Sequence, residues 1–210
     1  MADSNARPLV VYVVDDDASI RDSLALMLGL GGYSTRLFAD AESFLLAFEA
    51  HWAGCVVADL RLPGMSGIEL QSQLRERGSR LPFVIITAHG DVPAARTAFR
   101  AQAVDFIEKP FDDAHLRAAI EAAFGLERER IEGSEMRRAD RQKLARLTSR
   151  EREVLEHAAR GLHAKEIAAA LGISTRTVEV HKTRIMEKLE VRNIAELVRF
   201  ALAAEGPTRP

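Results

Sequence analysis

LVVYVVDDD, residues 9–17, decides the fold. Six apolar residues, four of them valine, run without interruption and end on three carboxylates. A run so short and so continuously apolar reads as a strand buried on both faces, and it is far below the roughly 20 residues a membrane span needs. Four further runs repeat the theme: STRLF at 34–38, GCVVAD at 54–59, PFVIIT at 82–87 and VDFI at 104–107. The stretches between them have helical period, so the first half predicts an α/β domain, a doubly wound five-stranded parallel sheet covered by helices. Its last helix, capped by Asp112 or Asp113, carries Leu116, Ile120, Ala123 and Phe124 on one face.

Beyond these strands the chain has room for a second core. Its 210 residues suit two small domains, and 47% apolar with 29% charged residues is the composition of chains that fold. No charged-then-apolar secretion signal opens the sequence, so a cytoplasmic protein with no membrane partner is expected. One cysteine, Cys55, excludes an internal disulfide and any cysteine-based zinc cluster. Residues 1–126 hold 11 Lys/Arg against 17 Asp/Glu, a balance of −6, whereas residues 127–210 hold 18 against 14, a balance of +4. An acidic half joined to a basic half predicts a cation or phosphoryl site in front and a polyanion partner behind.

The predicted organisation is a domain over 1–126, a charged, helical linker over 127–146, and an all-α domain over 147–210. In the linker Glu, Arg and Lys dominate, and Gly133 is the one clear breaker; its charges extend the fifth helix or form a helical hinge. Four helical segments follow. Thr148 with Glu151 and Asn193 with Glu196 read as capping boxes, Ser174 reads as an N-cap, and Gly161 and Gly172 punctuate.

In an open parallel sheet the carboxyl ends of the strands form the ligand crevice, so Asp15, Asp16 and Asp17 after the first strand converge with Asp59 at the end of the third. Like charges that close repel; a divalent cation relieves them, and hard oxygens select Mg2+ over zinc. Thr87 ends the fourth strand and Lys109 follows the fifth, a hydroxyl donor and a compact positive charge suited to phosphoryl oxygens. Phosphoryl transfer asks mainly for positioning and charge neutralisation, which makes Asp59 the candidate nucleophile. Taken singly, each residue has an ordinary explanation, and Asp17 before a helical run reads as a cap. The order of all four features selects the chemistry.

VVDDD (13–17), DLRLPGMSG (59–67), ITAHGD (86–91) and DFIEKPF (105–111) resemble the receiver domain of two-component response regulators, from about Leu9 to Leu126. The resemblance implies a flavodoxin-like receiver with Asp59 as phosphoacceptor. It also implies Mg2+ held by Asp15, Asp16, Asp59 and the Arg61 backbone carbonyl, with Asp16 and Asp59 the direct carboxylate ligands. It makes Thr87 and Phe106 a switch pair, although an aromatic in a buried strand also simply packs. By the same resemblance the Lys109–Pro110 bond is expected to be cis. AHGDVP at 88–93 resembles the FixJ branch, whose members have little linker.

Residues 163–189 read as a helix with Ile167, Ala168 and Leu171 apolar, a turn at Gly172-Ile173, and a second helix from Thr175. Val178, Ile185, Met186 and Leu189 of that second helix point inward. Its outer face holds Arg176, Glu179, Val180, Lys182, Thr183 and Arg184. Arg and Lys suit phosphates, Glu179 suits cytosine, and Val180 or Thr183 suits a thymine methyl. A basic helix face is commonly just solvated. LTSREREVLEHAARGL (147–162) and KEIAAALGISTRTVEVHKTRIMEKLEVRN (165–193), however, resemble the LuxR-type effector domain of the NarL/FixJ family, over about Leu147 to Ala203. That resemblance implies Lys165, Arg176, Lys182 and Arg184 on phosphates, with Glu179, Val180 and Thr183 facing base edges. His181, with no second ligand near, is expected to pack or cap. Family members often have Ser-Asn where this chain has His163-Ala164, and many have Lys at Glu179. These departures touch the helix start and the base preference.

Together the resemblances imply a response regulator: a sensor histidine kinase phosphorylates Asp59, and the phosphorylated homodimer binds double-stranded promoter DNA. Activation is the expected sign, with RNA polymerase a further candidate partner. No enzymatic activity is expected beyond phosphoryl transfer onto its own aspartate and slow autodephosphorylation. A Mg2+-dependent phosphohydrolase with Asp15 as nucleophile is the rival, but it leaves Asp59, the Lys109-Pro110 corner and the C-terminal half without a role. An RNA-binding or protein-interaction output is a second rival, separable by salt-dependent duplex-DNA binding.

Overall fold

The computed structural model describes residues 8–88, 90, 92–193 and 196–200. Strands β1 (Val10–Val14), β2 (Ser34–Phe38), β3 (Gly54–Asp59), β4 (Phe83–Thr87) and β5 (Asp105–Glu108) form one sheet of order β2-β1-β3-β4-β5, every pairing parallel. The fifth strand lies one residue later than its apolar run predicts, because Glu108 joins the ladder opposite Thr87. Helices α1 (Ala18–Leu30), α2 (Ala41–Ala47), α3 (Gly67–Glu76) and α4 (Val92–Arg100) connect the strands.

Alternate side chains leave opposite faces of a strand, and both faces of this sheet are covered. Tyr12, Val14, Val56, Ala58, Phe83 and Ile85 pack with Phe44 of α2 and Leu70 and Leu74 of α3. Val11, Val13, Val57, Val84, Ile86 and Ile107 pack on the other face with Leu24 and Leu28 of α1. Trp52, the only tryptophan, stacks on Tyr12 at 4.4 Å between ring centroids. Only the edge strand β2 lacks a buried residue, which is why its sequence is the least apolar of the five.

Helix α5 runs from Asp113 to Ala145, 33 residues, with His115 N–H donating to the Asp112 carboxylate at 2.6 Å. Of the two forms expected for the linker, an extension of the fifth helix or a helical hinge, its charged residues take the first and continue α5 across Gly133. Leu116, Ile120, Ala123 and Phe124 face the sheet as predicted, and the helical repeat carries Glu127 onto the same face. Glu127 is fully buried, and both of its oxygens accept from Arg130, at 2.6 Å each. The chain divides into two compact units after Arg130.

The second unit holds α6 (Ser149–Ala159), α7 (Ala164–Leu171), α8 (Thr175–Leu189) and a helical run over 196–200. The Thr148–Glu151 capping box and the Ser174 cap are both present, and α7 stops at Gly172, whose φ of 64° a side chain would resist. Val154, Leu155, Ile167, Val178, Ile185, Leu189, Leu197 and Phe200 form its core, with Met186 half-buried at the margin. Asn193 Oδ1 accepts from Glu196 N–H at 2.9 Å, while the Glu196 carboxylate accepts from Arg192 N–H at 2.9 Å and from Asn193 Nδ2 at 3.1 Å. The tail from Gly206 and the end of the predicted effector span lie outside the described residues.

Candidate functional site

Strand order reverses between β1 and β3, and the crevice of such a sheet opens at the carboxyl ends of those two strands. Asp15 follows β1 and Asp59 closes β3, so the topology brings them together. Carboxylate oxygens of Asp15, Asp16 and Asp59 lie within 4.8 Å of one another. Lys109, just past β5, bridges two of them: its ammonium is 2.6 Å from Asp15 Oδ2 and 3.0 Å from Asp59 Oδ2. Burial works against the charge on Lys109, but the hydrogen bonds and attraction of the two carboxylates outweigh it and leave its pKa above the ordinary lysine value.

The three acids differ in how they are held. Asp15 is fully buried, and its Oδ1 accepts the Asp17 N–H at 3.0 Å. Asp59 is 9% exposed and accepts the Arg61 N–H at 3.2 Å. The exposed Asp16 side chain makes no hydrogen bond or ion pair with any described residue. Asp17 caps α1 as predicted, accepting Ser19 N–H at 2.8 Å and its hydroxyl at 2.7 Å, and these bonds hold its carboxyl below the usual range.

Thr87 ends β4, almost fully buried. Phe106 of β5 is paired with Ile85, two residues before Thr87, so the hydroxyl and the ring share one face of the sheet. A methyl group at Gly90 would stand 3.2 Å from the Phe106 ring, so that glycine keeps the space beside the aromatic open. The Lys109–Pro110 bond is cis. His89 and Asp91 of the ITAHGD stretch lie outside the described residues.

In the second unit Arg176, Glu179, Val180, Thr183 and Arg184 are exposed on α8, and Lys165 is exposed on α7. Lys182 is less available than its position suggests: only 20% exposed, it donates to Glu179 at 3.4 Å. The Thr183 hydroxyl turns back onto the Glu179 carbonyl at 3.1 Å, which consumes its donor. His163 supplies no side-chain cap to α7, while its N–H donates to Glu166 at 2.7 Å. His181 is half-buried with Nδ1 enclosed and without a partner among the described residues, so it packs rather than caps.

Two residues at these sites escaped the sequence reading. Arg21 of α1 donates from Nη1 to the Asp15 backbone carbonyl at 2.6 Å. Lys188 of α8 reaches the buried Glu151 carboxylate of α6 at 2.6 Å. A basic residue one turn after an acidic loop hints at the first; nothing local marks the second, whose partner is 37 residues away.

Residues 11–121 match the family described as response regulator receiver domain, and residues 145–201 match bacterial regulatory proteins of the luxR family. Over 196 residues the chain is 43% identical to the transcriptional regulatory protein FixJ of Azorhizobium caulinodans, covering 93% of each. It is similar to the solved structure of the response regulator StyR, with a TM-score of 0.82 at 43% identity, covering 93% of this chain and 99% of that one. Full-length FixJ from B. japonicum gives a TM-score of 0.58 at 41% identity, covering 95% and 98%.

Proposed function

The chain belongs to the two-component response regulators of the FixJ/NarL type, transcriptional regulators that join a receiver to a LuxR-type DNA-binding domain, and on that premise we propose that Asp59 is its phosphoacceptor and that the aspartyl phosphate controls DNA binding. One observation carries this reading: Asp59 faces Lys109 at 3.0 Å and shares a corner with two further carboxylates, one of them without a partner among the described residues.

The donor is the phosphohistidine of a sensor kinase. A carboxylate oxygen of Asp59 attacks phosphorus; the P–N bond breaks, its electron pair stays on the imidazole nitrogen, and a P–O bond forms on Asp59. A monoanionic carboxylate becomes a dianionic acyl phosphate, so one more negative charge enters the pocket. Lys109 exchanges Asp59 Oδ2 for a phosphoryl oxygen, and Thr87 donates its hydroxyl to another. The donor set fits a divalent hard cation: Asp15, Asp16, Asp59 and the Arg61 carbonyl offer only oxygen. Mg2+ bound there would supply neutralisation of the phosphoryl charge.

As Thr87 moves towards the phosphate, Phe106 follows it on the same face, and the surface of α4, β5 and α5 changes. That surface dimerises the receiver in its phosphorylated form. Two effectors then read half-sites about one DNA turn apart, with Lys165, Arg176, Lys182 and Arg184 on phosphates and Glu179, Val180 and Thr183 towards bases. The protein works in the cytoplasm as an activator, and RNA polymerase is a partner at the promoter. Phosphorylation acts only through its differential stabilisation of the active state.

Burial counts against the phosphohydrolase reading: Asp15 is fully buried, with no exposed surface from which to attack, whereas Asp59 is 9% exposed. The test is labelling with a phosphodonor and Mg2+. The parent chain takes up one hydroxylamine-labile phosphoryl group, and Asp59→Asn takes up none; equal labelling of Asp59→Asn ends the assignment.

A further inference from the structure

Asp15 is pinned on three sides that the pocket chemistry already explains. Its N–H donates to the Phe38 carbonyl at 3.2 Å, its Oδ1 accepts from Asp17 N–H, and its Oδ2 accepts from Lys109. The fourth restraint is of another kind. Arg21, half-buried in the first turn of α1, donates to the Asp15 carbonyl at 2.6 Å. That oxygen belongs to the planar peptide joining Asp15 to Asp16. The Asp16 side chain has no partner of its own among the described residues, so the orientation of that peptide and a single rotamer decide where its carboxylate stands.

Arg21 is well placed to hold the plane. Its helix is anchored in the sheet core through Leu24 and Leu28, and its backbone N–H donates to the Asp17 carbonyl at 3.1 Å. The guanidinium also lies within the field of Asp40, the N-cap of α2, whose carboxyl is held low by Ser43 and further by Arg21.

We propose that Arg21 is a positioning residue for the divalent cation: by gripping the Asp15 carbonyl it presets the Asp16 carboxylate against Asp59. This rests on the cation reading above. The two ways in which Arg21 could matter have opposite signs. A guanidinium beside a cation site repels the cation, so if charge were its whole role, removing it would tighten Mg2+ binding. If it positions Asp16, removing it loosens Mg2+ binding.

The experiment is a calorimetric Mg2+ titration of the full-length chain, with thermal melts in EDTA alongside. Arg21→Met is expected to weaken Mg2+ about tenfold, the lower end for residues that orient a metal ligand. Its melting temperature in EDTA is expected to stay near the parent's. Unchanged or tighter Mg2+ binding overturns the proposal, as does a loss of stability in EDTA with affinity intact, the mark of a purely structural residue. Should Arg21→Met fail to fold, Arg21→Lys decides. It keeps the charge but loses the planar fork, so weaker Mg2+ binding supports positioning and parent-like binding overturns it. Asp16→Asn separates the two levels. If the parent binds no Mg2+, or Asp16→Asn binds it as the parent does, the cation reading itself fails and Arg21 falls with it.

Discussion

Replacing Glu151 with glutamine tests how α8 is held against α6. The Glu151 carboxylate, 4% exposed, accepts from Lys188 Nζ at 2.6 Å, Thr148 N–H at 2.8 Å and the Thr148 hydroxyl at 3.0 Å. Burial pushes this carboxyl up, but the bonds from Lys188 and Thr148 outweigh it and bring it from the ordinary 4.5 down to about 2. Each pKa unit is worth about 1.4 kcal/mol, so ionised Glu151 stabilises its domain by ~3 kcal/mol. Because the pKa is lowered in the folded state, the contribution is complete above 4.5 and is lost as pH falls towards 2. Glu151→Gln can still accept from Thr148 but leaves Lys188 without its counter-charge, so it should cost about 2–3 kcal/mol at neutral pH. The measurement is urea unfolding at several pH values. Trp52 fluorescence follows the receiver alone, while far-ultraviolet ellipticity follows both units. A loss under ~0.5 kcal/mol, the scale of ordinary surface changes, refutes the reasoning. So does a gap between parent and variant that fails to close as pH falls towards 2.

Lys109→Met leaves Asp15 and Asp59 facing each other without their shared cation, so the receiver should lose about 2–4 kcal/mol in EDTA and regain part of it in millimolar Mg2+; a Mg2+-independent loss contradicts this. Phe106→Ala should label with phosphodonor within about threefold of the parent yet gain no DNA affinity on phosphorylation, as read by anisotropy of operator DNA; a parent-like gain removes Phe106 from the switch. Arg176→Ala should weaken binding uniformly across DNA sequences and lower the salt slope by about one, whereas Glu179→Gln should change base preference in a selection from random DNA. A sequence-dependent effect of the first variant, or a uniform effect of the second, reverses their assigned roles.

The receiver core is legible because a sheet covered on both faces demands unbroken apolar runs; Val10–Val14 and Gly54–Asp59 are buried nearly throughout. The convergence of Asp15, Asp59 and Lys109 is legible for a topological reason, since each stands at a carboxyl end of a parallel strand. Arg21 is not, because a contact made to a backbone carbonyl asks nothing of the residue that carries it. The Thr148–Glu151 box is written in its own spacing, but its tie to Lys188 exists only once α6 and α8 are packed. Glu127 is the sharpest case. Three residues from Arg130, it has the spacing of any solvated helical pair, and only the docking of α5 on the sheet turns it inward.

That inward turn makes α5 uneven in its resistance to uncoiling. From Glu132 to Gln142 nearly every side chain is in water, so local unwinding there exposes little that was hidden. Propagating towards the sheet, the disturbance meets a carboxylate whose donors among the described residues come from one turn further along the same helix. To pass it, the helix must strip away that arginine while the acid is still enclosed, or lift the acid and the apolar row behind it together. The unravelling front therefore has a natural stopping point at Glu127, and the receiver keeps its last helical turns whatever happens downstream.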